Sequence, residues 1–154
     1  MIVPDLNLLL YAYDSESPFH AQAVTWWQGC LSGSEPVLLP EVVAMGFVRV
    51  STNAKAFRRP MGAKEATSHV RSWLQQSVVQ IAEPGPDHVV RALTLLEDLG
   101  TAGNLVTDAQ IAAVTMGYDA VLHTADADFM RFKDLRWHNP ILGTTSVSHR
   151  RRRS

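Results

Sequence analysis

Cysteine is almost absent from this chain. A single one, Cys30, excludes an internal disulfide framework and any cysteine-built zinc cluster, and it suits a reducing compartment. Long apolar runs are missing as well. The longest, Leu8 to Tyr13 and Val42 to Val50, fall far short of the ~18 residues that a membrane-spanning helix needs. The start, Met1-Ile2-Val3-Pro4-Asp5, has no basic segment of the kind that opens a signal peptide. A soluble cytoplasmic protein is the expectation. Charge of one sign is also lacking: 14 Lys and Arg stand against 15 Asp and Glu, so no global excess points to nucleic acid or to an acidic tail. No internal repeat is found.

What remains is ordinary globular composition, 46% apolar and 19% charged over 154 residues, which is the size of one domain. We read that domain as 1–147, followed by a basic tail, 148–154, in which Arg150 to Arg153 stay solvated unless a polyanion meets them.

Short apolar runs alternate with helical periodicity. Ile2-Val3 opens a strand that Pro4 cuts. Ser17-Pro18 starts a helix with His20, Val24, Trp27 and Leu31 at helical spacing, ended by Gly33. Val37 to Leu39 is a buried strand, and Pro40-Glu41 begins a helix through about Val50. A third helix covers Ala63 to Gln75, with Ala66, Val70, Trp73 and Leu74 on its apolar face. A strand covers Val78 to Ile81. A helix covers Asp87 to Leu99, stopped by Gly100. Thr107 to Met116 is an alanine-rich helix closed by Gly117. Ala120 to Thr124 is a strand, and Leu135 to Trp137 is a last short one. Strands separated by helices predict a parallel sheet with right-handed crossovers, covered on both faces: a three-layer α/β/α domain.

The acids fall in a pattern on this map. Asp5 follows the first strand, Glu41 the second, and Asp126 and Asp128 the strand ending at Thr124. Asp108 sits in the first turn of its helix. Three strands thus deliver a carboxylate just past their carboxyl ends, where open α/β sheets bind ligands. Each acid alone reads equally as a helix N-terminal charge or a solvated group. Together they would repel, and either raised pKa values or a hard divalent cation would relieve that. Oxygen ligands and water suit Mg²⁺ or Mn²⁺, with no histidine or cysteine set competing for zinc, and metal-assisted hydrolysis is the chemistry such a cleft allows.

Four segments carry a resemblance. Asp5-Leu6-Asn7, Glu41 early in its helix, Asn104 to Ala113 around Asp108, and Thr124-Ala125-Asp126-Ala127-Asp128-Phe129 resemble, in order, the acid-bearing segments of PIN-domain proteins of the VapC type. Those are the toxin halves of bacterial toxin–antitoxin pairs. The likeness runs from about Ile2 to Pro140, and Phe132, Leu135-Arg136-Trp137 and Asn139-Pro140 look like one subgroup. It implies a PIN-like fold and a Mg²⁺- or Mn²⁺-dependent endoribonuclease acting on structured RNA such as tRNA. It also implies a homodimer silenced by a VapB-type antitoxin. On it, Asp5, Glu41, Asp108 and Asp126 would be catalytic acids that hold the metal directly or through water, with Asp128 as a further metal ligand or supporting acid. Asn7 and Thr124 would orient carboxylates or waters.

RNA binding by a chain of net charge -1 requires local charge. Arg49, Lys55, Arg58, Arg59, Lys64 and Arg71 form one basic stretch, with Lys55, Arg58 and Arg59 as the RNA-binding candidates. Arg131, Lys133 and Arg136 form a second. Phe57 is placed to stack on an unpaired base. His123 reads as a strand-end histidine satisfied locally. Trp26, Trp27 and Trp73 read as core or interface aromatics, Cys30 as a small hydrophobe and Met45 as packing. The helices before Gly33 and around Met45 are apolar enough to receive an antitoxin helix. Two alternatives stand beside the nuclease: a non-catalytic RNA- or partner-binding module of the same fold, and a phosphotransfer enzyme with Asp5 as nucleophile. The second is disfavoured by Asn7, where a second aspartate is wanted.

Overall fold

In a computed structural model of the chain, residues 1–146 are described. The basic tail, 148–154, lies outside them, as does residue 147. Six strands form one sheet: β1 Ile2–Pro4, β2 Val37–Pro40, β3 Val79–Ala82, β4 Val121–His123, β5 Trp137–Asn139 and β6 Thr144–Thr145. Six α-helices flank it: α1 Leu6–Tyr13, α2 His20–Ser32, α3 Glu41–Ser51, α4 Ala63–Leu74, α5 His88–Leu99 and α6 Val106–Gly117. The spatial strand order is β3-β2-β1-β4-β5-β6.

The three-layer expectation holds, with one correction to the sheet. β1 to β5 pair in parallel, but β6 runs antiparallel to β5. Parallel strands need a long crossover, whereas β5 and β6 are joined by a tight turn. Asn139 Oδ1 accepts from the Ile141 and Leu142 N–H groups at 2.9 and 3.2 Å, and Gly143 adopts φ 70° to close the turn.

Two helix assignments also change. Leu6–Tyr13, of which Leu8 to Tyr13 reads in sequence only as an apolar run, is a helix that buries Leu8, Leu9 and Ala12. The following helix starts at His20 rather than at Ser17-Pro18. Ser17 is taken up by a turn in which its N–H meets Asp14 O at 3.0 Å and its Oγ accepts from the Phe19 N–H at 3.2 Å. The face α2 buries is Ala23, Trp27 and Cys30, one position away from the expected Val24 and Leu31.

Fully buried β1 and β2 account for the unbroken apolar reading of those runs. On one face of the sheet an aromatic chain ties four helices together. Trp73 meets Trp27 and Phe47 edge-on at 5.4 and 4.8 Å, and its indole N–H donates to Tyr13 Oη at 2.7 Å. Trp27 and Trp73 are thus the core aromatics expected, and Cys30 is buried beside Trp27 in the same core, its thiol pushed up to about 12 by burial. Met45, expected to pack, is 61% exposed instead. No helix among the described residues is long and apolar enough to cross a membrane.

Candidate metal centre

The chain leaves β1 toward β2 and β3 on one side, then returns through β4 to β5 on the other. The strand order therefore reverses between β1 and β4, which pair with Pro4 opposite His123. Loops leaving the carboxyl ends of two such strands diverge and open a crevice. Asp5 follows β1 directly, and Thr124 and Asp126 follow β4.

Backbone bonds set these residues. The Asp5 N–H donates to His123 O at 2.9 Å, and the Thr124 N–H to His138 O at 2.9 Å. Asp5 is the N-cap of α1, with φ -77° and ψ 149°, yet its carboxylate makes no capping bond. It turns instead to Thr124, whose Oγ1 donates to Asp5 Oδ2 at 2.8 Å and accepts from the Asp126 N–H at 3.0 Å. Asp126 in turn caps a 3-10 turn, Ala127–Arg131, its Oδ1 accepting from the Asp128 N–H at 2.9 Å. Asp108 arrives from the first turn of α6. Carboxylate oxygens of Asp108, Asp126 and Asp128 lie within 4.8 Å of one another.

The electrostatics are unbalanced. Asp5 is 3% exposed, and burial, followed by repulsion from Asp108 and Asp126, pushes its pKa up to about 7 in spite of the Thr124 bond. Burial and the charges of Asp126 and Asp128 push Asp108 up to about 6. Among the described residues no lysine or arginine forms an ion pair with any of the four. An all-oxygen donor set whose mutual repulsion no side chain relieves fits a hard divalent cation.

The other sequence candidates divide. Asn7 lies half-buried on the first turn of α1, two residues from Asp5. Glu41 is not brought into the three-acid cluster. It is exposed at the start of α3, in a groove of about 340 Å³ lined also by Met45, His88, Gln110 and Val114. Gln110 is two residues beyond Asp108, some 200° around α6 at ~100° per residue, so that groove meets a different face of the helix. Phe57 is buried, 6% exposed, and offers no ring to a base. Lys55 is exposed. Arg58 and Arg59 are also exposed, and both reach Glu16, at 3.1 and 3.4 Å. Of the second basic group, Arg136 is held by Asp119, while Arg131 and Lys133 line an open cleft together with Asp87, Asp98 and Asp134.

Two residues behave differently from the sequence reading. His123 is satisfied, but by a distant partner: the Trp26 indole N–H donates to its Nδ1 at 3.0 Å, and the His138 ring packs edge-on at 5.0 Å. Burial and His138 push His123 down to about 4, so it is neutral. Tyr11 has no role in the sequence reading. Burial, then the Asp5 and Asp126 carboxylates, raise its pKa, so its phenol stays neutral beside the acids. The available signal was its position four residues after Asn7, on the same face of a helix that the sequence reading did not assign.

The PIN domain family model matches residues 2–135. Ribonuclease VapC33 of Mycobacterium tuberculosis is 43% identical over 141 residues, covering 92% of this chain and 99% of that protein. This chain belongs to the PIN-domain family, in its VapC branch. Ribonuclease VapC37 of the same organism is 34% identical over 140 residues, covering 91% and 97% of the two chains. Solved structures of VapC-type proteins share the fold. VapBC2 from Rickettsia felis, bound to a promoter DNA fragment, superposes with a TM-score of 0.64 at 19% identity, covering 90% of this chain and 98% of that one. M. tuberculosis VapC20, described as a Sarcin-Ricin loop cleaving toxin, also gives 0.64, at 17% identity over 84% and 93%. VapC proteins of the PIN-domain family are ribonucleases, and this chain is one of them. That membership replaces the phosphotransfer reading.

Proposed function

We propose that this VapC-type PIN domain cleaves RNA at its four-aspartate centre with Mg²⁺ or Mn²⁺, acting in the cytoplasm as a homodimer and silenced by a VapB-type antitoxin. The observation that carries the reading is the cluster of Asp108, Asp126 and Asp128 backed by buried Asp5, with no cationic side chain among the described residues to neutralise it. We assign these four acids as the cation's holders and leave Glu41 outside the set, on the separate groove it lines.

A divalent cation held there would acidify water and offset the charge that builds on the phosphodiester during hydrolysis. The chain's own residues prepare the place. Thr124 aims Asp5 and Asp126 with one hydroxyl. Asp126 positions Asp128 through its backbone N–H. Asn7, at the start of α1, is assigned to orient carboxylate or water. Lys55, Arg58 and Arg59 are assigned to phosphates on either side of the cut, since four acids cannot attract a polyanion unaided.

Two surfaces support the partner assignments. The groove containing Val42, Met45 and Pro84 is apolar enough to receive an antitoxin segment, and similar structures are described as VapBC complexes. Val89, Val90 and Leu93 of α5 are 64, 63 and 54% exposed, an apolar surface suited to a second copy. The test is to incubate the purified protein, freed of antitoxin, with total cellular RNA in Mg²⁺ or Mn²⁺ and to map new 5′ ends, with EDTA and Asp5→Ala as controls. Discrete cuts lost in both controls are expected. RNA bound in EDTA and never cut at any metal concentration would instead indicate a binding module.

A further inference from the structure

Beside the acids stands an aromatic pair that the metal reading does not use. Asn7 and Tyr11 are four residues apart on α1, so they share one face of the helix, while Leu8, Leu9 and Ala12 face the core. Asp5 caps α1 and Asn7 stands on its first turn, so this face starts at the metal centre and Tyr11 lies one turn along it; the Asp5 and Asp126 charges accordingly raise its pKa, after burial. The Phe19 ring packs on it with centroids 5.3 Å apart and planes inclined by 53°. Phe19 is 38% exposed and Tyr11 is half-buried, so the pair offers aromatic surface to solvent. Its position is fixed from behind: His20 Nδ1 donates to Tyr11 O at 2.9 Å, and the turn from Asp14 to His20 is closed by two backbone bonds. The same turn carries Glu16, on which Arg58 and Arg59 converge.

We propose that Tyr11 and Phe19 form a stacking platform for an unpaired base of the RNA next to the scissile phosphate. The inference rests on the ribonuclease reading above. Neutral rings beside four acids repel no nucleobase, and their faces accept any base by stacking. Arg58 and Arg59, held on the adjoining turn, supply the phosphate contacts that the rings lack. A base can reach the platform only when it is out of a helix. The platform therefore selects single-stranded or looped sites over duplex.

The test uses the full chain freed of antitoxin and an oligouridylate carrying one central 2-aminopurine, in EDTA so that nothing is cut. Stacking on an aromatic ring quenches this fluorophore. The expected result is quenching on binding, with affinity falling roughly 5- to 150-fold in Phe19→Ala and Tyr11→Leu, the range that loss of one stacked base gives. Phe19→Trp and Tyr11→Phe restore both signals. Mn²⁺ affinity measured by calorimetry stays at the wild-type value in Phe19→Ala, which separates lost stacking from a damaged metal centre. Annealing the oligonucleotide to its complement abolishes the quenching. Binding without quenching, with equal affinity in wild type and Phe19→Ala, overturns the platform while cleavage of total RNA in Mn²⁺ leaves the nuclease reading intact. Neither binding nor cleavage by the wild type overturns both.

Discussion

Thr124 donates its hydroxyl to Asp5 Oδ2 at 2.8 Å across the pair of strands where the sheet reverses its order. The same oxygen accepts from the Asp126 N–H at 3.0 Å, so one side chain aligns two acids that lie far apart in sequence. Removing such an orienting group costs roughly 10- to 100-fold in metal affinity. Thr124→Val is therefore expected to weaken Mn²⁺ binding by about that factor, and Thr124→Ser to retain it, as read by calorimetric titration.

Asp5 makes stability depend on pH in an unusual direction. Its folded pKa, about 7, lies above the ordinary 3.8, so the metal-free folded state holds a proton that the unfolded chain has lost. Its contribution is complete below pH ~4 and disappears as pH rises through 7. Asp5→Asn keeps an oxygen for Thr124 and carries no charge. Urea titrations of metal-free protein at pH 5 and pH 8 are expected to show the variant gaining on wild type as pH rises, by about 3 kcal/mol at most. Equal pH dependence in the two proteins would refute the buried, proton-holding Asp5.

Metal should act in the opposite sense. A cation needs the carboxylates ionised, and Asp5 and Asp108 hold protons up to about 7 and 6. Affinity for Mn²⁺ is expected to climb between pH 5 and pH 8, with proton release measurable in weakly buffered solution. EDTA is expected to lower the melting temperature at pH 8 and to leave it unchanged at pH 5.

Asp108 and Glu41 give contrasting variants. Asp108 shares the cluster with Asp126 and Asp128, whereas Glu41 lines a groove on another face of α6. Asp108→Asn is expected to cut RNA cleavage by roughly 100- to 1,000-fold, the scale for losing one electrostatic group in an active site. Glu41→Gln is expected to change it less than about 3-fold, far below that scale. A large loss in Glu41→Gln would bring the acid back into the catalytic set.

Glu16 ties Arg58 and Arg59 at the surface, and such exposed pairs contribute only about 0.2–1 kcal/mol to stability. Their weight falls on binding instead. Replacing both arginines by alanine is expected to lower the slope of log affinity against log salt by about 1.4 for single-stranded RNA, at ~0.7 per phosphate contact. Glu16→Gln, which releases both, should tighten RNA binding at low salt.

The sequence alone determined the alternation of strands and helices, and with it the three layers. β1 and β2 are buried on both faces, and their unbroken apolar runs say so directly. It also determined that carboxylates follow the strand ends, because an acid placed one residue after a strand is a local fact. Tertiary structure decided which acids meet. Asp5, Asp108 and Asp126 converge because β1 and β4 are neighbours and α6 leads into β4, and no local pattern records that adjacency. Glu41 obeys the same local rule after β2, and it lines the groove shared with Met45, Gln110 and Val114. Helix α1 escaped the sequence reading because eight residues with apolar side chains nearly all round show little periodicity, and packing against α2 and α3 is what makes it a helix. Phe57 and Met45 exchanged their expected places, one inside and one outside, for a related reason. Side-chain burial depends on which element arrives opposite, and that is settled only when the chain closes on itself.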